Sequence, residues 1–195
     1  MSAREGPIVG ILLAAGAGTR FGGDKLMHPL PDGRPIAVAA ASALVQALPQ
    51  SVAVVRPGND ALERALAAAG LAVTVCADAA EGMGASLAHG IRTSDDAAGW
   101  VIALADMPFV KPATIAAVAQ KLAAGATLCA PSVAGLRGHP VGLSAAYRSE
   151  LEALHGDAGA RDILRRDAAR LELIAVDDPG ALRDIDTRAD LRGKT

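Results

Sequence analysis

Residues 7–25 read PIVGILLAAGAGTRFGGDK, and this stretch decides the fold. Residues 7–13 are apolar without alternation, the pattern of a strand buried on both faces. Ala14, Ala15, Gly16, Ala17 and Gly18 follow at once, so the backbone leaving the strand carries little side-chain bulk. Successive N–H groups along such a segment can turn toward one anion, and small residues let a phosphate approach closely. Arg20 and Lys25 add fixed positive charge to the same loop. The expected contacts of a bound phosphate group are therefore Leu13, Ala14, Ala15, Gly16, Gly18, Thr19, Arg20 and Lys25.

Two other phosphate loops fit less well. A P-loop would end in Gly-Lys-Ser/Thr, and Lys25 is followed by Leu26. A dinucleotide fingerprint after Gly16 and Gly18 needs a glycine at position 21, where Phe21 stands. No acidic residue ends the second strand either, because Val55 leads into Arg56-Pro57-Gly58. Nicotinamide and flavin enzymes are thus disfavoured.

Outward from the loop, short apolar runs alternate with longer amphipathic or alanine-rich stretches. Strands are expected at 7–13, 51–55, 71–76, 100–105, 127–130 and 171–176, with another apolar run at 139–143. Helices are expected at 35–48, 60–69, 85–92, 112–124, 145–154 and 160–166, and a short last one from Thr187. Strand–helix repetition of this length implies one three-layer, Rossmann-like α/β domain over residues 1–195, a mostly parallel sheet with helices on both faces. Ligands of such sheets sit beyond the carboxyl ends of the strands, here after Leu13, Val55, Cys76, Ala105 and Ala130.

Composition removes several function classes. A formal charge of −2 gives no basic field for nucleic acid, and 2% aromatic residues supply few platforms for stacked bases. The four histidines lack metal-ligand spacing. Cys76 and Cys129 lie in apolar runs and read as buried thiols. No apolar stretch has the length of a membrane span and residues 1–7 do not read as a signal peptide, so a soluble cytoplasmic protein is expected.

Asp106 closes the apolar run 100–105 and precedes Met107-Pro108. A carboxylate there faces the ligand edge of the sheet and suits a hard divalent cation, although the same position suits a turn or helix cap.

The loop resembles the signature of the nucleotidyltransferases that include the molybdenum-cofactor guanylyl- and cytidylyltransferases and the sugar-nucleotide pyrophosphorylases. Their pattern is Leu-Ala-(Ala/Gly)-Gly, a short spacer, Thr/Ser-x-Arg, Phe/Met-Gly, then Lys. Ala15, where the guanylyl branch usually has glycine, points toward the cytidylyl branch. Similar motifs recur along essentially the whole chain.

The resemblance implies the nucleotide-diphospho-sugar transferase fold, Mg2+ as cofactor, CTP as donor and a molybdopterin-type acceptor. Lys25, Arg20 and Asp106 would be the catalytic residues. Asp106 and, through Asp184-Ile185-Asp186-Thr187, Asp186 would hold magnesium. Alternation along an extended segment places Asp184 on the same face, so it remains a rival. Gly82 and Ser86, in Gly82-Met83-Gly84-Ala85-Ser86-Leu87, would lie against the nucleoside, the glycines leaving room for the base. Gly138 and His139, in Gly138-His139-Pro140-Val141-Gly142, would contact the acceptor. A molybdoenzyme is the implied recipient of the product. GTP, another phosphorylated acceptor, or a non-catalytic chaperone of the cofactor are the competing readings.

Overall fold

The computed structural model describes residues 6–16, 18 and 21–192, the side chain of Arg192 excepted. The strands are β1 (Ile8–Leu13), β2 (Ser51–Val55), β3 (Ala72–Val75), β4 (Gly99–Leu104), β5 (Leu128–Val133), β6 (Leu136–Arg137), β7 (Val141–Ser144) and β8 (Leu171–Ala175). The α-helices are α1 (Ile36–Ala47), α2 (Asp60–Ala68), α3 (Met83–Arg92), α4 (Pro112–Ala123), α5 (Arg148–Glu152) and α6 (Arg161–Arg166).

The eight strands form one sheet in the order β3-β2-β1-β4-β7-β5-β6, with β8 beside β5. Strands β1 to β4 are mutually parallel, as are β5 and β8. β7 runs antiparallel between β4 and β5. The sheet is mostly parallel, as the alternation of elements predicts. The run at 139–143 becomes its one long antiparallel strand because β5 reaches it through a hairpin rather than a crossover helix.

Burial on both faces explains the unbroken apolar runs. Val9 and Ile11 of β1, with Trp100 and Ile102 of β4, face α3, α5 and α6. Leu12 and Val101 face the opposite way, into a cluster with α1, α2 and α4. Gly10 of β1 leaves room for its neighbours, since a Cβ there would stand 2.2 Å from Ser51 Oγ and 2.9 Å from Leu44 Cδ1 of α1. Three layers follow, with the loops at the strand ends free to bind.

Several boundaries differ from expectation. β5 continues past Ala130 to Val133, across Pro131. β7 pairs only Leu128 and Cys129; beyond them Pro131 stands opposite Ile174 of β8, and its carbonyl accepts from the Gly138 N–H at 2.8 Å. α3 starts at Met83, two residues early. The stretch 145–154 begins as a 3-10 turn, Ala145–Tyr147, before α5. The last helix is a 3-10 turn, Arg188–Arg192. Its start makes half of a capping box: the Asp190 carboxylate accepts from the Thr187 N–H at 2.7 Å and from its hydroxyl at 2.8 Å.

Candidate active site

A cavity of about 650 Å³ opens across the carboxyl ends of β1 to β4. Leu13, Ala15, Gly16, Gly18 and Lys25 form its loop wall, and Leu104 and Asp106 the β4 end. Arg56 and Pro57 line it after β2, Ala77, Ala79 and Ala80 after β3, and Gly82, Met83 and Ser86 at the start of α3. Four of the five strand ends marked by the sequence thus converge. The fifth, after β5, leads instead into the hairpin with β6.

The loop owes its path to two devices. Gly18, at φ +60°, turns the chain, and its carbonyl accepts from the Phe21 N–H at 3.0 Å. Phe21, the residue that breaks the dinucleotide spacing, is buried with Leu30, Ile36, Ala39 and Ile185 and stacks edge-on with His28 at 5.2 Å. It anchors the far end of the loop. Gly16 has no such packing role: a Cβ there would meet nothing within 4 Å. Ala14 faces away from the cavity in function, since its N–H is already given to Val54 O at 2.9 Å. Thr19 and Arg20 lie outside the described residues.

Lys25 Nζ donates to Asp106 Oδ2 at 2.8 Å and to Asp186 Oδ1 at 3.4 Å, with its side chain 11% exposed. The two carboxylates stand 80 positions apart in sequence yet converge on one ammonium. Ile185 makes that possible. Its N–H donates to Asp106 O at 2.9 Å, and its fully buried side chain joins the Phe21 cluster. Asp184 is held above the usual carboxylate range by burial and by the neighbouring charges of Asp186 and Asp106. Only Asp186 of the pair touches Lys25.

Hard carboxylate oxygens gathered at one point fit a divalent cation of the magnesium or manganese type. Among the described residues no cluster of three or more His, Cys, Asp or Glu side chains has metal-site geometry. A cation held by Asp106 and Asp186 therefore needs phosphate oxygens and water to complete its shell, the usual arrangement for magnesium on nucleotides.

Ser86 lines the cavity although it is only 3% exposed, and its hydroxyl donates weakly back to Gly82 O at 3.4 Å. The expectation that Gly82 and Gly84 clear space for a base is not what the packing shows. A Cβ on Gly82 would lie 2.4 Å from Asp157 Oδ1, and one on Gly84 2.6 Å from His155 O. The space is filled by residues 155–157.

His139 and Gly138 do not line the cavity. Gly138 is buried with its Cβ position 2.6 Å from Ala181 O. The His139 N–H donates to Ala181 O at 2.8 Å. Burial, helped by the charge of Arg137, pulls the His139 imidazole down to about 4, while Asp106 opposes the shift. Its Nδ1 is buried without a partner among the described residues. Cys76 and Cys129 are buried free thiols, as read.

Sequence reasoning missed Arg56 and Asp157. Arg56 carried a signal, its place directly after a buried strand. Asp157 carried none, because only the packing of residues 155–157 on α3 brings it to the cavity.

The sequence model described as MobA-like NTP transferase domain matches residues 10–171. The chain is 30% identical over 189 residues to nicotine blue oxidoreductase of Paenarthrobacter nicotinovorans, covering 92% of each chain. It is 30% identical to purine catabolism protein PucB of Bacillus subtilis strain 168, again over 92% of each. Among solved structures, Rv0371c of Mycobacterium tuberculosis H37Rv superposes with a TM-score of 0.84 at 31% identity, covering 98% of this chain and 97% of that one. The same mycobacterial protein has been solved in complex with manganese, superposing at 0.78. A match reaching from β1 to β8 removes the alternative of an incidental glycine turn on an unrelated sheet. This chain belongs to the MobA-like NTP transferase family and is a nucleotidyltransferase of the nucleotide-diphospho-sugar transferase fold.

Proposed function

We propose that the chain, acting as a single cytoplasmic domain, transfers CMP from CTP to the phosphate of a molybdopterin-type acceptor and releases pyrophosphate. An acceptor phosphate oxygen attacks the α-phosphorus, and the α–β phosphoanhydride bond breaks to expel pyrophosphate. The acceptor is already ionised, so no general base is needed, in keeping with a cavity whose described lining holds Lys25, Arg56, Ser86, Asp106 and Asp157 and pairs no nucleophile with a base. Catalysis then rests on alignment and on charge stabilisation. The observation that carries this reading is the convergence of Lys25, Asp106 and Asp186 at the loop end of the cavity.

Each residue has a task. Gly16 and Gly18 admit the polyphosphate to the backbone, Lys25 offsets charge on the α-phosphate, and Arg20 offsets charge on the leaving phosphates. Ser86 faces the nucleoside, and Arg56 stands beside it at the β2 end. The acceptor role of His139 rests on its motif alone, since the residue lies off the cavity wall, and its imidazole is neutral at pH 7. Asp106 and Asp186 would hold magnesium, which would supply charge neutralisation at the reacting phosphates. CTP and the molybdopterin acceptor rest on the Ala14-Ala15-Gly16 and Gly138-His139-Pro140 motifs, and a molybdoenzyme as recipient follows from them.

Pyrophosphate release with CTP, GTP or ATP, magnesium and loaded acceptor tests the reading. CTP is expected to support turnover, and Lys25→Ala to lower it by about three orders of magnitude with the fold intact. Turnover with GTP instead would move the base assignment. Release with none of the three would favour a chaperone, and redox turnover would favour the oxidoreductase chemistry that names the Paenarthrobacter relative.

A further inference from the structure

The cavity has two ends of different character. Lys25 and Asp106 close it beside β4, whereas Arg56, Pro57 and Ala77 line it beyond β2 and β3. The strand order β3-β2-β1-β4 places three inter-strand spacings between those ends, about 14 Å, the reach of a nucleoside with its phosphates.

The α3 wall is completed by a segment that the sheet does not supply. Residues 155–157 leave α5 and lie on the first turn of α3. The Gly84 N–H donates to Gly156 O at 2.7 Å, and the missing side chain of Gly82 leaves space that Asp157 Oδ1 occupies. Asp157 is thereby held over the start of α3 and lines the cavity next to Ser86. Its carboxylate is exposed and, among the described residues, receives no hydrogen bond or ion pair.

An ionised carboxylate only accepts hydrogen bonds, and it repels phosphate. Lys25 is shared by Asp106 and Asp186 and Arg56 lies at the other end, so it is the glycine loop, with a cation that Asp106 and Asp186 would hold, that sets the phosphate end. The nucleoside then extends toward α3 and Asp157. The donors a nucleoside can present are its ribose hydroxyls and the N–H groups of its base.

We propose that Asp157 is a specificity-determining residue that accepts a hydrogen bond from the nucleoside half of the substrate. This rests on the nucleotide-transfer reading above and extends it to a residue that reading does not use. Charge-assisted hydrogen bonds are worth enough to shift affinity roughly 10- to 100-fold.

The test is calorimetric titration of the wild-type chain, Asp157→Asn and Asp157→Ala with CTP, 2′-deoxy-CTP, 3′-deoxy-CTP, UTP and GTP, in manganese chloride. Wild type is expected to bind at least one of the four CTP alternatives about 10-fold or more weaker than CTP. Asp157→Ala is expected to lose that discrimination, and Asp157→Asn, which keeps one acceptor oxygen, to retain part of it. Loss at a deoxy analogue assigns the donor to the ribose; loss at UTP or GTP assigns it to the base. Discrimination that is absent in wild type or unchanged in Asp157→Ala overturns the proposal and leaves the nucleotide reading standing. So does a uniform weakening of all five ligands. Failure of wild type to bind any of the five overturns both.

Discussion

His139 shows how burial sets the chemistry available to a single side chain. Its imidazole is held down at about 4 by burial and by Arg137, despite the nearby negative charge of Asp106. In the unfolded chain the same group titrates near 6.5. The unfolded state therefore takes up a proton first as pH falls, and stability drops between about pH 6.5 and 4. Above that window the contribution is fully present. Comparing wild type with His139→Gln in denaturant melts at pH 7.5 and 4.5 should isolate it: the variant is expected to lose up to about 3 kcal/mol less on acidification. An identical pH slope in the two proteins would show that the ring is not desolvated.

Other residues divide along the same line. Lys25 and Asp106 were legible because each follows a buried strand or its loop, where chain position alone predicts the ligand edge. Choosing between Asp184 and Asp186 was not possible from alternation, which puts both on one face. The contact with Lys25 falls to Asp186, because Ile185 is anchored on Asp106 O and in the Phe21 cluster.

Among the elements, the two glycine segments have opposite reasons for their composition. Gly16 stands in open space on the cavity wall, with a φ that any residue can adopt. Gly16→Ala is expected to change stability by no more than ~0.5 kcal/mol while weakening nucleotide binding. Gly82 is at φ +129° with Asp157 and Gly156 against it. Gly82→Ala is expected to cost about 2 kcal/mol or more in a thermal or denaturant melt, through backbone strain and displacement of residues 155–157. Equal stability losses at both positions would erase the distinction. The sequence could not separate these cases: glycine marks both a ligand-facing backbone and a tight protein contact. The strands were read well because burial on both faces leaves unbroken apolar runs. Element ends were read less well, as at Pro131, which β5 crosses beyond the last residue paired with β7.

At the scale of the molecule, the parallel sheet gathers the ends of β1 to β4 on one edge, and the order of strands turns distant sequence into one cavity. Alternating strands and helices announced that edge, and so the loop, Asp106 and the α3 start. The insertion of antiparallel β7 between β4 and β5, and the return of residues 155–157 and 184–186 to the site, depend on long-range packing that no local pattern encodes. Manganese complexes of the mycobacterial relative place a divalent ion in a protein of the same fold.

The account stands most directly on the joint binding of a divalent cation and a triphosphate between the glycine loop and the aspartates. Titrating manganese into the chain with CTP, followed by electron paramagnetic resonance, measures it. The account predicts that CTP tightens manganese binding and that Asp106→Asn abolishes the tightening while the chain stays folded. Manganese affinity that CTP leaves unchanged in wild type, or that survives intact in Asp106→Asn, would contradict it.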